Sequence, residues 1–207
     1  MKNNVELKRR LKQLKFFKQK SKVMRLAAQG WKEEWQTLVA IMMSAQSRDE
    51  LTIVIAQNLF KKYPTLKELF VAKQKDVLLV FKSLNYNKTK AKHVVACAKR
   101  LINDFGGVVP YDFEVLISLP GVGRKTANVF LAELGEQTIG VDTHVAYIST
   151  KMGWTKNTSQ ERIENDLKNL FPKKYWGSLN YILVNFGKSY TNVKEKNKLI
   201  LEAKQIK

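Results

Sequence analysis

Residues 119–128 read Leu-Pro-Gly-Val-Gly-Arg-Lys-Thr-Ala-Asn, and no other stretch constrains the fold as tightly. Proline fixes φ near a turn start, and the glycines allow backbone conformations that a Cβ would forbid. Flanked by apolar segments at helical spacing, the run predicts a tight hairpin whose second arm is a helix opened by a basic pair. The amides of such a turn come close to an anion at the N-terminus of the following helix, where the dipole and the N–H groups favour phosphate. Gly121, Gly123 and Arg124 are therefore candidate phosphate contacts.

Lys125 falls in the first turn of that helix, where the macrodipole disfavours a cation. Such an environment favours the neutral, nucleophilic amine. A short turn later, Val141-Asp142-Thr143-His144 places Asp142 as the N-cap of a helix over Thr143–Met152, where negative charge is favoured. Two readings stand on the residues alone. One is a phosphate clamp with a surface lysine and an ordinary cap; the other is an amine nucleophile and a carboxylate serving one cleft.

The rest of the chain reads as helical, with no strand alternation and no internal repeat. Ala91, Val94, Val95, Ala98, Leu101, Ile102 and Phe105 form one stripe over Lys88–Phe105, stopped by Gly106-Gly107. Thr158 with Glu161 reads as a capping box ahead of Ile163, Leu167 and Leu170, and Leu179, Ile182, Leu183 and Phe186 form a further stripe ended by Gly187. Asp49 reads as the N-cap of a helix starting at Glu50. Leu7, Leu11, Leu14 and Phe17 recur at helical spacing near the start.

Charge points to a polyanion. The 207 residues carry 37 basic and 18 acidic side chains, net +19, which favours nucleic acid as partner. Thirty of the 37 are lysine, a bias that base composition of the genome also produces. Clustering argues for function: residues 1–24 hold nine basic side chains against the single acid Glu6. That segment lacks the apolar core of a signal peptide, and its basic face is either solvated or a phosphate contact. No apolar run is long enough to span a membrane, and a cytoplasmic, nucleoid-associated protein is expected. The one cysteine, Cys97, excludes an internal disulfide and a four-cysteine iron–sulfur cluster. Its place on an apolar stripe reads as core.

The run Leu119–Asn128 with Val141–His144 closely resembles the endonuclease III branch of the helix-hairpin-helix DNA glycosylases. The resemblance extends to Ser44-Ala45-Gln46 and Asp49, more loosely to Lys82–Ala91 and Phe186-Gly187, and covers about residues 30–190 in order. It implies an all-α fold of two helical subdomains with a cleft between them. Residues 27–137 would form a six-helix barrel carrying the helix-hairpin-helix, and residues 1–26 and 138–207 the second subdomain. It implies that Lys125 attacks C1′ of the damaged nucleotide with Asp142 assisting. Gln46 would enter the space left by the flipped nucleotide, and Tyr86, in the loop Leu84-Asn85-Tyr86-Asn87, would wedge the opposite strand in place of an aliphatic side chain. His144 reads on its own as a packed supporting residue, and the motif adds it to the DNA-contacting set.

The implied activity is base excision of oxidised or ring-saturated pyrimidines, followed by strand cleavage through β-elimination. The implied partner is double-stranded DNA containing a damaged base or abasic site, bound by a monomer. A monofunctional uracil or thymine mismatch glycosylase shares the fold but usually lacks the lysine, and a non-catalytic DNA-binding module would need neither Lys125 nor Asp142. The chief departure from the family is the tail after Tyr190, which offers none of the four cluster cysteines; Leu199, Ala203 and Ile206 suggest a plain helix there. No metal cofactor is expected, with a monovalent cation at the hairpin carbonyls the one ion the turn could take.

Overall fold

A computed structural model describes residues 2–22 and 24–207. Among these residues the secondary structure is helical throughout. The order is α1 (Lys2–Lys20), α2 (Glu34–Ser44), α3 (Asp49–Lys62), α4 (Leu66–Phe70), α5 (Gln74–Val80) and α6 (Asn87–Phe105). There follow α7 (Phe113–Ser118), α8 (Arg124–Glu133), α9 (Thr143–Met152), α10 (Gln160–Leu170), a 3-10 turn at Lys173–Tyr175, α11 (Trp176–Ser189) and α12 (Val193–Gln205). The chain separates into two compact units, residues 25–130 and residues 1–24 with 131–207. The divide falls inside α8, a few residues before the expected join at residue 137.

The 25–130 unit is organised by α2 and α6. Nearly every residue of α2 from Trp35 to Met43 is buried, because the helix packs on both α3 and α6. Trp35 and Trp31 meet Phe60 edge-on at 5.2 and 4.9 Å between ring centres, a geometry worth about 0.5–1.5 kcal/mol per pair beyond the area buried. Helix α6 turns its stripe of Ala91, Val94, Val95, Ala98 and Leu101 inward against α2, α4 and α5. It ends as its sequence requires, with Gly106 left-handed at φ 61°. Cys97 lies in the same core, fully buried, and burial pushes its thiol up to about 12.

In the other unit α1 packs on α11 and α12. Leu14 and Phe17 are buried while Leu7 and Leu11 are half-buried, so the packed face deepens toward the helix's C-terminal end. Phe17 meets Phe186 at 4.6 Å with the rings tilted 56° and lies edge-on at 6.2 Å to Trp154, which in turn meets Phe171. The tail forms α12, with Ile200 and Ala203 buried and α9 and α1 as its neighbours.

Two expected caps are displaced by one residue. Asp49 is the first residue of α3, not its cap, and it is buried; Arg48 holds the cap position without a side-chain bond. Helix α10 is capped by Ser159, whose hydroxyl accepts from the Arg162 amide, so the Thr158–Glu161 box does not form. At α10 two adjacent hydroxyl residues offer one cap position and Ser159 takes it, whereas at α3 the burial of Asp49 goes with its place inside the first turn.

Candidate active site and nucleic-acid interface

The hairpin is built by two different demands for glycine. Helix α7 stops at Leu119, whose carbonyl accepts from the Val122 amide at 3.1 Å. Gly121 has φ +79°, and a Cβ there would stand 2.6 Å from His93 Cβ, so both backbone and space exclude a side chain. Gly123 has neither constraint: a Cβ would meet nothing within 4 Å. What its bare backbone leaves is an open approach at the start of α8. Arg124 opens that helix with its guanidinium 4.8 Å from the centre of the Phe113 ring, an attraction of about 0.5–1 kcal/mol at a site of this exposure. Lys125 follows in the first turn, partly exposed, while Thr126, Ala127 and Asn128 are buried behind it.

Asp142 caps α9 as its sequence position requires. Its backbone is extended, and its carboxylate accepts from the Val145 amide at 2.8 Å. The entry to α9 is braced from α11 at two points. Asn180 donates to the Gly140 carbonyl at 2.7 Å in a buried bond, and Gly187 lies directly against His144. On the far side of α9, the Tyr147 hydroxyl donates to Asn197 of α12 at 2.6 Å.

Gln46 and Tyr86 share an unusual backbone. Among the described residues they are the two non-glycine residues with positive φ, 53° and 56°, a conformation that costs an L-residue about 1–2 kcal/mol. Both side chains are exposed, Tyr86 at 64%. The turns carrying them are tied together. Asn85 Nδ2 donates to the Gln46 carbonyl at 2.7 Å, and Lys90 Nζ donates to Ser47 Oγ at 2.9 Å. Lys90 is buried within α6, and that burial lowers its ammonium to about 8.

The 25–130 unit thus holds Gln46, Tyr86, Gly121, Gly123, Arg124 and Lys125, and the other unit holds Asp142 and His144. Sequence reasoning missed Asn85, Lys90, His93, Phe113 and Asn180. One had a visible signal: Lys90 lies four residues before Val94 on the apolar stripe of α6, where a lysine must be paired or functional. The others act across the chain and carry no local signature.

The donor set for a four-cysteine cluster does not fit. Residues 191–207 contain neither cysteine nor histidine, and the only thiol, Cys97, is buried in the core of the 25–130 unit. Among the described residues no group of three or more His, Cys, Asp or Glu could hold a metal ion, and no helix is long and apolar enough to cross a membrane.

A glycine hairpin feeding a basic helix start, within an all-helical fold, defines a helix-hairpin-helix protein. The chain belongs to the HhH-GPD superfamily of base excision DNA repair proteins, whose match spans residues 39–173, and within it to the endonuclease III family. It is 38% identical over 157 residues to endonuclease III of Thermotoga maritima, covering 75% of this chain and 74% of that protein. It is 35% identical over 156 residues to endonuclease III of Bacillus subtilis, covering 74% and 71%. Among solved structures, a trapped endonuclease III–DNA covalent intermediate superposes with a TM-score of 0.76 at 30% identity, over 81% of this chain and 79% of that one. A non-covalent endonuclease III–DNA complex superposes at 0.81 with 27% identity, over 91% and 88%. The chain is accordingly a base excision repair enzyme, a DNA glycosylase with AP lyase activity.

Proposed function

We propose that the chain binds duplex DNA containing an oxidised or ring-saturated pyrimidine, extrudes that nucleotide, and removes the base with Lys125 as nucleophile. The neutral amine attacks C1′, the glycosidic bond breaks, and the base departs with its bonding electrons and takes up a proton. The sugar ring opens to an imine on Lys125. Loss of a C2′ proton then expels the 3′ phosphate oxygen, cleaving the strand, and water releases the lysine. The Asp142 carboxylate stabilises positive charge developing on the sugar and accepts the proton the amine sheds. Gly121, Gly123 and Arg124 hold the backbone phosphates, Gln46 fills the vacated stack, and Tyr86 wedges the opposite strand. His144 supports the Asp142 turn. The enzyme acts as a monomer on chromosomal DNA in the cytoplasm.

The observation that carries this reading is the position of Lys125 in the first turn of α8, directly after the hairpin. A clamp for phosphate alone has no use for a lysine there with an aspartate at the start of α9. Borohydride added during reaction with abasic-site duplex reduces an imine to a stable amine and should trap a protein–DNA adduct. Lys125→Gln should abolish the adduct and leave DNA binding in place. Full trapping by that variant would assign the nucleophile to another amine.

A further inference from the structure

We infer that Asn85 is a positioning residue that locks the turn bearing Gln46 to the loop bearing Tyr86, so that the two side chains enter the duplex as one preset wedge. The inference rests on the reading of Gln46 and Tyr86 given above. Three observations support it. Gln46 and Tyr86 are held in the left-handed region without being glycine, which a free loop would relax. Asn85 Nδ2 donates to the carbonyl of Gln46 itself, a bond between residues 39 apart in sequence. The neighbouring Lys90 Nζ fixes Ser47, the next residue of the same turn, from within α6. The Gln46 turn is therefore gripped on consecutive residues, by a side chain of the Tyr86 loop and by the helix that this loop opens.

The amide of Asn85 fits this task and a carboxylate does not. The acceptor it serves is a backbone carbonyl, so an acceptor-only group of the same shape would face it with like partial charge. Asn85→Asp thus breaks the lock without changing volume. A merely structural asparagine at an exposed loop would tolerate the change.

The test is a cycle of Asn85→Asp, Gln46→Ala and the double variant, on a duplex with one thymine glycol and on the same duplex with an abasic site. Single-turnover base excision by Asn85→Asp should fall about tenfold, the scale of one lost hydrogen bond at a demanding site. Strand cleavage at the abasic site, where no base must be extruded, should stay within about twofold. The double variant should excise less slowly than the product of the two single effects, because part of what the lock does acts through the Gln46 side chain. A 2-aminopurine beside the lesion should unstack more slowly with Asn85→Asp, while the thermal midpoint is unchanged. Wild-type excision by Asn85→Asp, or effects that multiply in the double variant, would overturn the lock. Wild-type excision by Gln46→Ala would instead overturn the reading of Gln46 on which it rests.

Discussion

Gly187 and His144 lie so close that a Cβ on residue 187 would stand 2.5 Å from His144 Nδ1 and 2.8 Å from its Cγ. Gly187 is in the last turn of α11, and His144 follows the Asp142 cap by two residues, so the glycine sets how near α11 comes to the start of α9. Both residues belong to one unit. The family-like Phe186-Gly187 pair therefore has a spatial reason: the phenylalanine fills the core beside Phe17 while the glycine admits the imidazole.

Gly187→Ala should displace His144 and tilt the first turn of α9. Overpacking of this kind costs about 1–3 kcal/mol, readable as a lower urea midpoint, and excision should fall with it. Gly187→Ala combined with His144→Ala should regain the stability. If it does not, the imidazole is not what the glycine accommodates.

The two hairpin glycines should separate folding from binding. Gly121→Ala meets both a positive φ and the His93 side chain, and should destabilise the protein by about 1–3 kcal/mol. Gly123→Ala meets nothing and should leave the unfolding free energy within about 0.5 kcal/mol. Its effect should fall on DNA affinity with the salt slope unchanged, since the slope counts phosphates neutralised by cations and a backbone amide neutralises none. Unchanged affinity would remove Gly123 from the phosphate contacts.

Asp142 both caps α9 and carries the charge assigned to catalysis. Asparagine caps as well as aspartate does, so Asp142→Asn should keep the thermal midpoint while slowing excision about 100-fold or more, as loss of one preorganised electrostatic group does. Asp142→Ala should add a stability cost of about 1 kcal/mol for the lost bond to Val145. Equal activity of Asp142→Asn and the wild type would leave the residue with capping alone.

Lys90 makes stability depend on pH with a definite sign. Its ammonium is lowered from 10.5 to about 8 by burial, so the unfolded chain holds this proton more tightly than the folded one. Between about pH 8 and 10.5 the unfolded state binds more protons, and the contribution of Lys90 to stability rises with pH; below 8 the full penalty of the buried charge remains. Against Lys90→Met, which has no such proton, wild-type stability should improve through this window by up to about 3 kcal/mol. Urea unfolding of both proteins at pH 7.5 and pH 10 measures the difference, and parallel pH profiles would contradict it.

Local chemistry was legible in the sequence and long-range grip was not. The hairpin, the Gly106 stop of α6 and the Asp142 cap each follow from the residue and its near neighbours, and all three stand where expected. Asp49 and Thr158 show the limit of that reasoning, since each stands one residue from the cap position. Asn85 and Lys90 find partners 39 and 43 residues away, and Asn180 reaches back 40 to Gly140. Spacing along a chain carries no record of such meetings. The tail was legible as a helix from Leu199, Ala203 and Ile206, but its bond from Tyr147 to Asn197 was not.

Helix α1 belongs to the same unit as residues 131–207, and Phe17 has Phe186 for its closest aromatic neighbour. This order has a consequence during synthesis. The contiguous 25–130 unit, with its hairpin and Lys125, is complete while the ribosome has still to make α9 to α12. At about 5–20 residues per second, the first helix waits on the order of ten seconds or more for its core. Over that interval its apolar face lacks the residues of α11 and α12 that cover it in the finished fold. Under the roles proposed for them, Lys125 emerges before Asp142, so a chain paused between the two carries the nucleophile without its carboxylate.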